Sequence, residues 1–172
     1  GSLAHRTALA RDLVSMEPAV VRGNASEIMA LAGTGGGGRG PETADDVDSA
    51  LGAARAMSER HGFVAAVSGP VDAIVDGQRM ARITGGSPML TRVTGGGCAL
   101  GALIAAFIAA GREQDVDARA ATVACHEVYS AAAQRAAARS TGPGSFRPAF
   151  LDALYDLGAE DLEAVAVSEE QA

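Results

Sequence analysis

The sequence VTGGGCALG, residues 93–101, places three glycines and a thiol at the start of a long apolar segment. We predict that an extended segment ends here and that a helix begins. The first amides of a helix have no partner within the helix, and the helix dipole reinforces their positive charge. A helix start of this kind binds anions, most often a phosphate. The alternative is a tight strand–helix turn with a buried cysteine, and the nine residues alone leave both interpretations open.

Cys98 lies in the first turn of this predicted helix. The field that would hold an anion also stabilises a thiolate at that position, so Cys98 is a candidate general base. Another chemistry open to such a thiol is that of a cysteine hydrolase, which needs a histidine partner. His126 is the only plausible partner, and nothing in the sequence places it beside Cys98.

Composition excludes several classes of function. The length of 172 residues predicts a single domain over residues 1–172. The net charge of −7 argues against nucleic acid or an anionic membrane as a partner. All 14 basic residues are arginines. The absence of lysine excludes a P-loop, which needs a lysine beside the phosphates, and it excludes Schiff-base chemistry.

The cysteines and the apolar segments predict a cytoplasmic protein. Two cysteines do not make a disulfide framework in a chain of this length. The first residues show no charged-then-apolar signal pattern. The longest apolar window, Ala99–Ala110, is long enough for a buried helix but too short to cross a membrane.

Helical and strand patterns alternate along the chain. Apolar spacing predicts helices over residues 4–16, 24–32, 41–62, 97–110, 116–139 and 146–157. Short apolar runs predict strands over residues 19–21 and 63–67, and a hairpin of residues 73–75 and 79–83 around Asp76-Gly77. This alternation predicts an α/β fold with a mainly parallel sheet, although few strands are visible for a doubly wound sheet.

Polar residues follow two of the predicted strands. Arg22 comes at the end of the first strand and Ser68 at the end of the next, where open α/β sheets bind their ligands. An arginine there can grip a phosphate with two N–H groups. Asn24 and Glu27 share a face at the start of the following helix, where they could hold Mg²⁺ through waters. Simple capping of that helix is the alternative explanation.

Four segments together resemble one family. RGNASEI (residues 22–28) is similar to an RGNxxEI segment, and SGPVD (residues 68–72) to a TGxxD segment. LTRVTGGGC (residues 90–98) is similar to (L/M)TKVTGxGC, and GPGSFRPAFLDALY (residues 142–155) to a C-terminal helix. These are segments of the hydroxyethylthiazole kinases, and they occur here in the family's order. The cysteine that ends the glycine motif is specific, because related ribokinase-like enzymes have aspartate there.

The resemblance implies a three-layer α/β/α ribokinase-like fold with a mainly parallel central sheet. It also implies a kinase that uses ATP and Mg²⁺ to phosphorylate the primary alcohol of 4-methyl-5-(2-hydroxyethyl)thiazole in thiamine biosynthesis or salvage. A homotrimer with the substrate pocket at the subunit interfaces is a further implication.

The resemblance also assigns roles to individual residues. It implies that Arg22 and Ser68 contact ATP, and that Gly95 contacts the thiazole alcohol. It implies that Cys98 is the catalytic base. Asn24 and Glu27 match a segment tied to Mg²⁺ and phosphate. The anion hole would consist of the amides of Gly95, Gly96, Gly97 and Cys98.

Three features depart from the family pattern. Ser68 stands in place of threonine but keeps the hydroxyl, and Gly96 stands in place of a small residue, which should loosen the loop. Family members are also considerably longer. We expect the additional part to precede residue 1 and to carry the first strands of the sheet, an aspartate near Mg²⁺ and much of the thiazole pocket. The alternative function is therefore a truncated, non-catalytic fragment that binds nucleotide or supplies an assembly surface.

Overall fold

Helices and strands alternate through the first half of the chain. The computed structural model describes residues 4–34 and 47–171. The first elements are α1 (Ala4–Val14), β1 (Val20–Asn24), α2 (Ala25–Ala32), α3 (Val47–His61), β2 (Val64–Ser68), β3 (Val71–Asp76) and β4 (Arg79–Thr84). They are followed by a 3₁₀-helix (Pro88–Arg92), α4 (Gly96–Arg112), α5 (Ala118–Ala138), α6 (Pro143–Tyr155), a second 3₁₀-helix (Ala159–Ala164) and β5 (Ala166–Gln171).

The described residues form two compact units. The first unit contains the described residues up to Arg82 together with residues 169–171, and the second is Ile83–Ser168. Each unit has buried apolar residues of its own. The single domain over residues 1–172 that the length of the chain predicts stays a prediction. Among the described residues, no helix combines the length and the apolar character needed to cross a membrane.

The sheet has five strands in the order β1-β2-β3-β4-β5. β1 and β2 are parallel, with Asn24 opposite Ser68, so the carboxyl ends of both strands lie at the same edge. β2 and β3 are antiparallel. The sheet is therefore mixed, and the expected parallel pairing joins β1 to β2. The hairpin turn predicted at Asp76-Gly77 is present, and Gly77 has the positive φ of 57° that such a turn needs.

The first unit packs α2 and α3 against β2 and its neighbours. Ala65, Ala66 and Val67 are all fully buried. Because successive side chains of a strand point to opposite faces, both faces of β2 are covered. Phe63 and Ile28 contribute the largest buried side chains nearby. This strand holds Ser68 firmly at its carboxyl end.

The second unit packs α5 against both α4 and α6. α4 buries only Leu100, Ile104 and Ile108, which lie four residues apart and so share one face. The apolar sequence of residues 97–110 predicts a buried helix, but only this one face of α4 is buried. The exposed residues include Ala99, Ala102, Ala105 and Ala106. Alanine makes a segment apolar in sequence but does not have to be buried, so hydropathy overstated the buried face.

Two segment boundaries also differ from the predictions. The segment before the glycine motif is a 3₁₀-helix capped by Ser87, where we expected extended chain. α6 begins at Pro143, three residues before the predicted start of the helix at residue 146. Proline suits the first helical position because it lacks the N–H that would have no partner there. Ser145 donates to the carbonyl of Gly142 at 3.1 Å.

Candidate functional site

Arg22 and Ser68 meet at the carboxyl edge of the parallel strands. Arg22 Nε donates a hydrogen bond of 3.0 Å to Ser68 Oγ, although 46 residues separate them. Ser68 lies opposite Asn24, two residues beyond Arg22 in register, so the arginine side chain extends toward the strand ends. Both side chains are half-buried. The structure thus brings together the two residues for which the family resemblance implies contact with ATP.

This pair retains donors for a ligand. The bond to Ser68 uses only Nε of Arg22, and the terminal nitrogens of a guanidinium can still donate to two oxygens of one phosphate. Ser68 Oγ accepts from Arg22, and its own O–H remains a donor. The pair therefore suits an oxyanion at the strand ends.

The turn after Ser68 is held by Asp72. Asp72 Oδ1 accepts a hydrogen bond of 2.8 Å from the N–H of Gly69. An aspartate that accepts from a nearby backbone N–H is typical of turns. The aspartate of the SGPVD segment therefore fixes the backbone that carries the serine hydroxyl.

Asn24 and Glu27 form a capping box at the start of α2. Asn24 Oδ1 accepts from the N–H of Glu27 at 2.9 Å, and Glu27 Oε2 accepts from the N–H of Asn24 at 2.8 Å. Gly23 makes room for this arrangement, because a Cβ there would lie 3.0 Å from Cβ of Glu27. Capping, the alternative explanation from the sequence, is therefore the role that these contacts define.

The described side chains around this box do not form a direct metal site. In residues 4–34 and 47–171, no group of three or more histidine, cysteine or acidic side chains could hold a metal ion. The single side-chain oxygen of Asn24 accepts from the N–H of Glu27 and from the hydroxyl of Ser26, and one of the two carboxylate oxygens of Glu27 is used by the cap. The exposed Glu27 carboxylate fits a magnesium ion only through intervening water, the mode that magnesium favours when phosphates supply its other ligands.

The glycine motif starts α4 without a side-chain cap. Gly95 is the N-cap residue with φ 94° and ψ −3°, and no cap hydrogen bond comes from a side chain. The first helical bond runs from the N–H of Ala99 to the carbonyl of Gly95 at 2.8 Å. Gly95, Gly97 and Cys98 are exposed. This is the geometry that an anion hole requires, and anion binding by residues 95–98 stays a prediction.

Leu90 and Tyr129 of the second unit contact the backbone of this turn. A Cβ at Gly96 would lie 3.2 Å from the carbonyl oxygen of Leu90, so the absence of a side chain allows a close approach. Tyr129 of α5 donates a hydrogen bond of 2.6 Å to the carbonyl of Gly96. The sequence analysis missed Tyr129, because it lies 33 residues beyond Gly96 in an alanine-rich helix with no motif of its own.

The two cysteines lie in opposite surroundings. Cys98 is exposed in the first turn of α4, whereas Cys125 is fully buried in α5. Burial raises the pKa of the Cys125 thiol to about 12. His126 is also buried, with 1% of its surface exposed. An exposed Cys98 thiol and a buried His126 imidazole do not make the thiol–imidazole pair of a cysteine hydrolase. The cysteine hydrolase alternative therefore gains no support.

Comparisons with known proteins agree with these motifs. Residues 1–160 match the model of the hydroxyethylthiazole kinase family. The hydroxyethylthiazole kinase of Serratia proteamaculans is 51% identical over 164 residues, which cover 95% of this chain and 60% of that protein. The one from Tolumonas auensis is 50% identical over 168 residues, which cover 96% of this chain and 62% of that protein.

A solved structure shows the same fold. The hydroxyethylthiazole kinase protein from Pyrococcus horikoshii OT3 matches with a TM-score of 0.84 at 28% identity, covering 98% of this chain and 61% of that one. The α/β ribokinase-like fold is thereby confirmed. This chain spans about three fifths of the length of each of these relatives.

Proposed function

This chain belongs to the hydroxyethylthiazole kinase family, and we propose that the complete protein transfers the γ-phosphoryl group of ATP to the primary alcohol of 4-methyl-5-(2-hydroxyethyl)thiazole. The uncapped start of α4 within the LTRVTGGGC segment carries this proposal. Phosphoryl transfer needs positioning and charge stabilisation more than covalent help. Backbone amides at an open helix start supply both.

The candidate site residues have separate parts in this reaction. The alcohol, placed against Gly95, attacks the γ-phosphorus as the bond to the bridging oxygen of ADP breaks. The thiolate of Cys98 takes the alcohol proton, and the amides of residues 95–98 stabilise the charge on the transferring group. Arg22 and Ser68 hold ATP phosphate oxygens, which their shared hydrogen bond at the strand ends supports.

Magnesium fits the proposal in a supporting role. The charge of the ATP phosphates would be partly neutralised by such an ion. Asn24 and Glu27 would hold it through water: Glu27 keeps one carboxylate oxygen outside the capping box, and Asn24, whose single oxygen serves the cap and Ser26, would contribute through its place beside Glu27. We extend the proposal to a cytoplasmic homotrimer that binds neither nucleic acid nor membrane, which the family resemblance and the net charge of −7 support.

The decisive test is product formation by the complete protein. Incubation with hydroxyethylthiazole, ATP and Mg²⁺ should yield the phosphate ester and ADP in equal amounts. A folded protein that forms neither would contradict the proposed kinase activity.

Calorimetry separates the kinase from the alternative of a non-catalytic fragment. Titration of this 172-residue chain with ATP and Mg²⁺ should release heat if the Arg22–Ser68 pair and the glycine motif bind phosphate. A folded chain that shows no heat would support a fragment that only supplies an assembly surface.

A further inference from the structure

Tyr129 connects the body of α5 to the first residue of α4. Its phenol donates the 2.6 Å hydrogen bond to the carbonyl of Gly96, and only 4% of its surface is exposed. Gly96 is where α4 begins. A buried side chain thus reaches the backbone of the turn that we assign to phosphate.

The ring of Tyr129 is fixed by aromatic neighbours. Phe150 of α6 packs against it edge-on, with ring centroids 4.8 Å apart and planes at 80°. Phe150 in turn stacks on Phe146 at 5.7 Å, and both phenylalanines are buried. Aromatic pairs in this arrangement are stabilising beyond the area that they bury. The phenol oxygen therefore occupies a well-defined position.

The glycine turn has little rigidity of its own. Three successive glycines have the widest choice of backbone conformations, and no side chain caps the helix start that they form. An anion hole stabilises a transition state only if its amides already point at the developing charge. Contacts from residues outside the turn can therefore add to the order that the helical bond from Ala99 to Gly95 provides.

The bond from Tyr129 sets that orientation through one peptide group. The carbonyl of Gly96 and the N–H of Gly97 belong to the same planar unit, and none of the described peptide bonds is cis. In a trans peptide the C=O and N–H point in opposite directions. A hydrogen bond that holds the Gly96 oxygen toward α5 therefore aims the Gly97 N–H outward from the helix start.

We propose that Tyr129 is a positioning residue for phosphoryl transfer, which aims the Gly97 amide at the transferring group by holding the Gly96 carbonyl. This inference rests on the proposed function of residues 95–98. Tyr129 is buried and acts on the backbone of Gly96, so the proposal gives it no direct contact with either substrate. Its effect should therefore appear in the rate of the chemical step more than in substrate binding.

The first test is the steady-state kinetics of Tyr129→Phe in the complete protein. This variant keeps the ring and removes only the hydroxyl. We expect kcat to fall about tenfold while both KM values change less than about twofold, because a misaimed amide weakens transition-state stabilisation. Tyr155→Phe is the matched control, since it removes the other tyrosine hydroxyl of the chain from a side chain that is 94% exposed. An unchanged kcat in Tyr129→Phe would overturn the proposal.

The second test does not depend on kinase activity. Amide hydrogen exchange in a peptide that covers residues 94–100 should become about fivefold faster in Tyr129→Phe, because the turn loses its anchor. Peptides from α5 and α6 should keep their protection. Equal acceleration throughout Ile83–Ser168 would show general destabilisation and contradict a positioning role. If the parent protein has no kinase activity, the proposed function fails, and exchange still shows whether Tyr129 orders the turn.

Discussion

α2 and α4 both begin at segments that the family motifs associate with phosphate, and they begin in opposite ways. α2 starts with a capping box, in which Asn24 and Glu27 satisfy backbone amides with their own side chains. α4 starts after Gly95, and no side chain caps it. A capped helix start has used its amides, whereas a glycine start keeps them for a ligand.

The difference has a cost in stability. A side-chain cap stabilises a helix by about 1 kcal/mol relative to alanine but only by a few tenths of a kcal/mol relative to glycine, so α4 with Gly95 forgoes roughly the smaller amount. Gly95 also adopts φ 94°, a conformation that other residues reach only with strain. The α4 start therefore leaves its first amides without a side-chain cap at some expense of stability, as the proposed anion hole requires, whereas the α2 start is stabilised by its own side chains. The following experiments test this contrast.

The largest effect should come from Cys98→Ala in the complete protein. Loss of a general base lowers kcat by about two to four orders of magnitude. Cys98→Asp supplies another base at the same position and should keep much of the activity. Ala102→Ser, a change on the exposed face of the same helix, is the control. Normal turnover by Cys98→Ala, measured as ADP formation, would show that the thiol is not the base.

The two thiols should differ strongly in reactivity. At pH 8, burial leaves only about one in ten thousand Cys125 thiols ionised, because their pKa is raised to about 12. Iodoacetamide should therefore add one group to the folded 172-residue chain, at the exposed Cys98, as measured by intact mass. The denatured chain should take two groups. Two additions to the native protein would mean that α5 opens readily.

Gly95→Ala should destabilise the protein and slow the enzyme. A Cβ there meets no atom within 4 Å, so the cost is the backbone strain of a positive φ, about 1 to 2 kcal/mol. Gly101→Ala is the matched control, because it lies within α4, also in open space. The free energy of unfolding of Gly101→Ala should rise by up to about 1 kcal/mol, because alanine has the better helix propensity. Chemical denaturation measures both, and equal effects would contradict the special role of Gly95.

The smallest effect should come from the cap of α2. Asn24→Ala should lower the free energy of unfolding by about 1 kcal/mol, whereas Asn24→Ser should keep most of it, because serine also caps. The serine variant isolates the proposed magnesium role from the capping role. If Asn24 also helps to hold magnesium, Asn24→Ser should need more Mg²⁺ for half-maximal activity at unchanged stability. An unchanged Mg²⁺ requirement would leave Asn24 as a cap alone.

The sequence by itself determined the features that depend on a few neighbouring residues. The capping box follows from an asparagine and a glutamate three positions apart, and the hairpin turn follows from Asp76-Gly77. The uncapped helix start follows from the glycines of residues 95–97. In each case the relevant hydrogen bonds or backbone angles lie within one turn of chain, so local residue types are enough to specify them.

Only the tertiary structure decided which distant residues meet. The bond from Arg22 to Ser68 spans 46 residues, and the bond from Tyr129 to Gly96 spans 33. It also decided that α4 buries one narrow face and leaves Cys98 exposed. Such contacts depend on strand register and helix packing, which are set by many weak interactions summed over whole elements. Local sequence placed the glycine turn, and the packing of α5 determined the residue that orients it.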